Sequence, residues 1–531
     1  MIDALMVFKQ SNLTANIRQK RQKDPRMFAL FSKPFLNRAN HAPIYFHYPA
    51  RLFTFVESMN SIRMKLVSLS FSIFILSNLP SLAQNAGQQL QKAFQQFESD
   101  AQLQHAIASL YVVDAKTGQV VFAKNEQLGL APASTQKIIT GATALELLGK
   151  EFRFKTEFAY RGELKERDSL LVGDLYISGN GDPTFGSQRY FRTKPSEIER
   201  GLLDKLRSIR ITHQRGEIVI LRDGLERQAI PDGWIWQDIG NYYGAGPGSI
   251  NWNENQFDIV FKPGIAQGEP TQVIRTRPDA GLQFINEVTS GASNSGDHAY
   301  AYFEPGKREL YLKGTIPCCV DTFTISGAIP SGEEFALTNI ASILGRNGWQ
   351  VSAQSVHSTT EAKYKSKPRP FYTHYSPSLD SIVYWLNRKS INLYAESLLK
   401  ILGSEKRGFG STENGVSVIR DFWKAMGIEE TELNLHDGSG LSPQNRVTTH
   451  AQVEILKFAR SRVWYSYFYE SLPEYNGMKM KSGTIGDAKA FCGYHKSKDG
   501  KEYIFSFIVN NYNGVSSLLV NKMYHVLDLL K

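Results

Sequence analysis

Cysteine is scarce in this chain. Only Cys318, Cys319 and Cys492 carry a thiol among 531 residues. That excludes a small scaffold stapled by disulfides, and with no C-x-x-C spacing there is no zinc-ligand pattern. The three thiols read as core residues; adjacent cysteines pair with difficulty, and a bridge from 318 or 319 to 492 stays open. Low-complexity tracts and solenoid-type repeats are also missing. The apolar run at Leu66–Leu79 falls short of the ~20 residues that a membrane-crossing helix needs. An excess of basic charge is lacking where it would matter. The formal charge is +10, but residues 1–83 hold eleven Lys/Arg against three Asp/Glu, which leaves +2 for residues 84–531. A nearly neutral body offers no electrostatic case for a nucleic-acid partner.

What is present points to export and to several domains. The length exceeds one hydrophobic core. Arg63 and Lys65 precede Leu66–Leu79, and Ser81-Leu82-Ala83 follows as a small-x-small cleavage pattern. Residues 64–83 therefore read as a signal peptide cut after Ala83. Residues 1–63 then read as a non-native or mis-assigned extension, with translation starting at Met59 or Met64.

The stretch Ala133-Ser134-Thr135-Gln136-Lys137 follows a loop and opens the apolar run Ile138–Leu148, which stops at Gly149. This predicts a buried helix. Residues three apart lie on one helical face, so the Ser134 hydroxyl and the Lys137 amine can meet. A serine hydroxyl needs a base to become a nucleophile. A lysine serves as that base once burial or nearby positive charge favours its neutral form.

Strand-like runs at 108–114 and 119–124 precede this helix, which suggests α/β layers. From Phe152 for nearly two hundred residues, short strand-like runs alternate with turns. Leu170–Ile177, Glu217–Leu221 and Phe257–Phe261 are examples, and a β-rich insertion of one or two nested modules is expected. Helical texture returns at 336–348, 378–385 and 397–402, and a hairpin over 490–510 precedes a final amphipathic helix over 515–530.

Two further groupings carry chemistry. Ser390-Ile391-Asn392 supplies a hydroxyl to relay a proton and an amide to hold a carbonyl. Lys481-Ser482-Gly483-Thr484 supplies a cation and hydroxyls on a predicted strand, with Gly483 permitting close approach. Each is weak alone, but the ordered set S-x-x-K, S-x-N, K-[ST]-G joins nucleophile, base, relay and anion anchor.

That set resembles the penicillin-binding proteins and serine β-lactamases. Gly173–Phe185, Asn387–Glu396 and Asp437–Ser442 narrow the resemblance to class C low-molecular-mass penicillin-binding proteins, the D-alanyl-D-alanine carboxypeptidase/endopeptidase family. The 256 residues between Ser134 and Ser390 agree, because that family carries extra domains there. The resemblance implies an α/β transpeptidase-like domain in two parts, 84–151 and 356–531, around inserted β-rich domains at 152–355. It implies Ser134 as nucleophile, Lys137 as base, and Ser390 and Asn392 as relay and peptide holder. Lys481, Ser482, Gly483 and Thr484 would bind the terminal carboxylate. It further implies an exported, periplasmic or envelope-associated enzyme with no metal, no cofactor and no transmembrane segment in its mature form. Its partners would be peptidoglycan peptides, with β-lactam antibiotics as inhibitors.

Two departures bear on substrate choice. The third motif has Ser482 where threonine is commoner. Pro443 stands where many relatives have arginine, which removes a cation from the site. Asp182 is a candidate for binding the amine of a diaminopimelate-type side chain, against the alternative of an Asx-turn aspartate. The rival readings are a serine β-lactamase, for which Glu430-x-x-x-Asn434 has a suggestive shape, and a penicillin-recognising module without catalysis.

Overall fold

A computed structural model describes residues 82–222, 224–349, 353–356 and 367–531. The expected extension 1–63 and most of the expected signal peptide 64–83 lie outside the described residues. Residues far apart in the chain build one antiparallel sheet. Its strand order is Glu474–Tyr475, Met478–Ile485, Ala488–Lys496, Glu502–Asn510, Ile107–Asp114, Val120–Lys124. Both expected hairpins are therefore present, and the C-terminal one joins the N-terminal one edge to edge, with Leu110 opposite Phe507.

Helices cover both faces of this sheet. On one face lie Leu82–Glu98 and Ser516–Leu527. Leu90, Phe94 and Phe97 recur at helical spacing and meet Leu519, Met523, Leu527 and Phe507 in one core. On the other face lie the serine helix Lys137–Leu148, then Asn392–Arg407 and Thr449–Arg460. Ile138, Ile139, Leu145, Leu398, Ile455 and Cys492 share the second core. The three-layer α/β arrangement follows from a sheet that is apolar on both faces.

Between the serine helix and the Ser390 motif sits the β-rich insertion. A mixed sheet runs in the order Ala353–Val356, Glu217–Leu221, Leu170–Gly179, Lys155–Lys165, Arg369–Tyr375. Its last strand pairs with Lys155–Lys165, so this ladder reaches past the boundary expected at residue 355. Two three-stranded sheets complete the insertion, built on Glu309–Pro317 and Gln256–Lys262.

The insertion also holds two sizeable helices. Pro195–Ser208 starts with proline in its first turn and buries Ile198, Leu202 and Leu206. Gly332–Arg346 is capped by the Ser331 side chain, which accepts from the Glu334 N–H. The first was not expected, because its apolar stripe is narrow within a charged sequence. The helix expected at 397–402 is much longer and begins at Asn392. All three cysteines are free thiols, so the bridge to Cys492 is not formed. Cys492 is buried opposite Lys481 in the main sheet.

Phe94 is 1 % exposed and packs against the rings of Phe97, Phe122 and Phe507 at centroid distances of 5.3–5.9 Å. Phe94→Ala leaves a cavity that the surrounding β-sheet cannot close. A loss of about 3–4 kcal/mol is expected, read as a lower midpoint in urea.

Candidate active site

The nucleophile candidate sits on a tight turn rather than inside the helix. Ala133–Gln136 form a 3-10 turn, and Lys137 is the first residue of the helix behind it. The turn is pinned by its own buried polar side chains. The Thr135 hydroxyl donates to the Pro132 carbonyl and accepts from Gln452 Nε2. Gln136 Nε2 donates to Asp437 Oδ1 and to the Asp437 carbonyl.

Lys137 is fully buried. Its Nζ lies 2.8 Å from Ser134 Oγ, 2.6 Å from Asn392 Oδ1 and 2.8 Å from the Ser439 carbonyl. Burial first, and then the charge of Lys481, hold its pKa well below the ordinary lysine range; Asp437 and Glu396 oppose this.

Ser390 occupies the loop between Leu379–Arg388 and Asn392–Arg407, with φ +56°. That left-handed backbone is uncommon for a residue with a Cβ and marks a held position. Lys481 Nζ donates to Ser390 Oγ at 2.9 Å and to the Ser482 carbonyl at 2.7 Å. Lys481 is 1 % exposed, and burial pushes its pKa down to about 7. It therefore faces Ser390 rather than the open cleft, unlike the direct carboxylate anchor expected from the motif. Asn392 opens its helix, and its Nδ2 donates to the Tyr243 carbonyl of the insertion.

Gly483 brings the third motif against the first. A Cβ there would stand 2.6 Å from the Pro132 carbonyl oxygen and 2.9 Å from the Ser134 nitrogen. Only a glycine lets the strand approach that closely. A cleft of about 700 Å³ opens over this point, lined by Ser134, Ser390, Asn392 and Thr484 on the catalytic side and by Asp238 and Tyr243 from the insertion.

A loop that the motifs named without a role holds these parts together. Asp437 is fully buried and accepts from the backbone N–H groups of Gly440 and Ser442, from Asn445 Nδ2 and from Trp234 Nε1 of the insertion. Glu396 accepts from the N–H groups of Gly438 and Ser439. Burial and the charge of Asp437 push the Glu396 carboxyl above the usual carboxylate range. The dense D-G-S-G-L-S pattern was the available signal for this loop.

Two expectations change. Asp182 is 1 % exposed, and its Oδ1 accepts from the Thr184 N–H and hydroxyl. It closes an Asx turn away from the cleft lining, and burial pushes its pKa up to about 6. The acidic groups that do line the cleft are Asp487 on the strand side and Asp238 on the insertion wall; burial raises the Asp238 pKa, with a hydrogen bond from Tyr243 opposing. The cation missing at Pro443 is present three residues later: Arg446 lines the cleft, and its Nη1 donates to the Pro443 carbonyl. Glu430 lies on a short 3-10 turn paired with Arg420 and Lys424, not in the cleft, so the β-lactamase reading loses its deacylating glutamate.

Gly483→Ala forces the strand off Ser134 while leaving both cores untouched. The expected result is a roughly hundredfold slower reaction of the serine with penicillin at a little-changed melting temperature, followed by stopped-flow or gel quantitation of the adduct.

Known proteins resemble this chain over most of its length. A D-alanyl-D-alanine carboxypeptidase of Actinomadura sp. (strain R39) is 26 % identical over 475 residues, covering 84 % of this chain and 86 % of its own. The D-alanyl-D-alanine carboxypeptidase DacB of Haemophilus influenzae is 22 % identical over 360 residues, covering 67 % of this chain and 71 % of its own. The crystal structure of penicillin binding protein 4 (dacB) from Haemophilus influenzae superposes with a TM-score of 0.70 at 19 % identity. It covers 83 % of this chain and 99 % of that one, and so shares the fold. Residues 90–474 match the D-Ala-D-Ala carboxypeptidase 3 (S13) family along most of the chain, through both the serine turn and the insertion, and the chain belongs to that family.

Proposed function

We propose that this protein is a serine D-alanyl-D-alanine carboxypeptidase and D,D-endopeptidase that acts on peptidoglycan stem peptides and their cross-links. One observation carries the reading: a fully buried amine, Lys137 Nζ, 2.8 Å from Ser134 Oγ. A neutral amine has two N–H bonds and one lone pair. Asn392 Oδ1 and the Ser439 carbonyl are acceptors and take the two protons. The lone pair is left for the Ser134 hydroxyl, so Lys137 takes its proton as Oγ attacks the carbonyl of the penultimate D-alanine.

The remaining roles follow from the same arrangement. Backbone N–H groups of Ser134 and Thr484, brought together by Gly483, would hold the oxyanion. Ser390, hydrogen-bonded by Lys481, would pass a proton to the leaving amine. The second N–H of Asn392 Nδ2 would hold the peptide, and Ser482 and Thr484 hydroxyls would meet the terminal carboxylate. Water then releases the acyl group. With a cross-link in place of a terminal D-alanine, the same steps cut the cross-bridge. The substrate lies outside the cytoplasm, and the leader-like 64–83 segment supports export to the periplasm or envelope. Among the described residues no helix is long and apolar enough to cross a membrane.

Two predictions follow the chemistry. Intact mass and peptide mapping after labelled penicillin are expected to find one adduct, on Ser134 and absent in Ser134→Ala; an adduct elsewhere would sink the assignment. The acylation rate should rise with pH as Lys137 loses its proton, because only the free amine is a base. That limb is expected far below the ordinary lysine value of about 10.4.

Asp238 and Arg446 place an acid and a base in the same cleft, which suits a stem-peptide side chain bearing both an amine and a carboxylate. Asp238→Asn is expected to lower kcat/KM about tenfold or more for the free-amine peptide, and much less for its N-acetylated form. Equal losses on both peptides would remove Asp238 from this role.

A further inference from the structure

A substrate that ends in a carboxylate calls for a cation, and the motif lysine is poorly placed to be the one it touches. Lys481 Nζ is buried against Ser390 and the Ser482 carbonyl. The register of the main sheet supplies another. Lys489 on Ala488–Lys496 lies directly opposite Thr484 on Met478–Ile485. Directly opposed residues of an antiparallel pair present their side chains on one face, and Ser482, two residues from Thr484, shares that face. Lys489 Nζ donates to Thr484 Oγ1 at 2.7 Å and lies 5.4 Å from the Phe491 ring centroid. Thr484 is exposed and lines the cleft.

The charge balance at Lys489 also points to an anion. Partial burial lowers its pKa, and among the described residues no carboxylate offsets that desolvation. A half-buried cation bonded to one neutral hydroxyl gains when a carboxylate arrives beside it. The bond has a direction as well. Thr484 Oγ accepts from Lys489, so its own proton is free to turn toward the cleft, where it can donate.

Building on the reading of Ser134 as the nucleophile of a D-alanyl-D-alanine peptidase, we propose that Lys489 determines specificity for the C-terminal carboxylate. It supplies the positive charge at that end of the substrate, with Thr484 and Ser482 as hydroxyl donors. Lys481 then serves Ser390, and the two lysines divide the tasks of relay and recognition between them.

The test compares acylation of the full chain by benzylpenicillin and by its methyl ester, which lacks the negative charge. Lys489→Met and Lys489→Arg are measured beside the wild type, with melting temperatures. Lys489→Met is expected to cut the carboxylate-over-ester preference about tenfold or more, and Lys489→Arg to restore most of it. For a peptide ending in D-alanyl-D-alanine, the loss should appear mainly in KM. A preference unchanged in Lys489→Met, or equal slowing of acid and ester with a lowered melting temperature, would overturn the assignment while leaving Ser134 in place. Failure of the wild type to acylate at Ser134 would overturn both readings.

Discussion

A lysine taken entirely out of water is the constraint around which the catalytic half is arranged. Lys137 has no solvent to stabilise a charge, and a second buried lysine, Lys481, stands close enough to disfavour that charge further. Burial of this kind is costly unless the nitrogen finds partners. It finds three, one from each of three segments: Ser134 on the serine turn, Asn392 at a helix start and Ser439 in a glycine-rich loop. Those segments must therefore converge on one point, and the surrounding contacts can be understood as what makes them converge. Asp437 ties the loop to the serine turn through Gln136, and Glu396 ties the same loop to the helix that begins at Asn392.

The insertion takes part in that convergence. It wedges between the first and second parts of the catalytic half in sequence, and in space it braces the second. The Tyr243 carbonyl accepts from Asn392, Glu254 accepts from the buried Tyr394 hydroxyl, and Lys400 donates to the Gln228 carbonyl. All three partners lie on Asn392–Arg407. A fourth contact, Trp234 to Asp437, reaches the loop behind Lys137. The insertion thus fixes the orientation of the Asn392 amide and supplies one wall of the cleft through Asp238 and Tyr243. The cleft wall and the position of the Asn392 amide beside Lys137 depend on the same set of contacts.

Local pattern carried the chemistry well and the neighbourhood poorly. The serine turn, the S-x-N loop and the K-S-G strand were legible because each depends on residues a few positions apart, where helix and strand geometry dictate proximity. Asp182 illustrates the limit. It sits in a conspicuous Gly-Asp-Pro turn, yet its Oδ1 closes on Thr184 two residues away and its Oδ2 is buried without a hydrogen-bond partner, while the less conspicuous Asp238 reaches the cleft. Pro443 removes a cation from the motif, and Arg446 three residues on lines the same space. Helix Pro195–Ser208 was missed because its apolar residues make a narrow stripe in a charged background, and only packing onto the accessory sheet stabilises it.

The sequence by itself determined the family and the candidate reactive groups with their order, because S-x-x-K, S-x-N and K-S-G are short spacings that constrain the backbone directly. It also determined the α/β layers and the β-rich insertion, through hydrophobic period and turn residues. Only the tertiary structure decided which groups meet across hundreds of residues. It assigned Lys481 to Ser390, paired Lys489 with Thr484, and brought Asp238 and Arg446 to one cleft. The physical reason is that burial, charge coupling and strand register arise from packing, and no local spacing in the chain contains them.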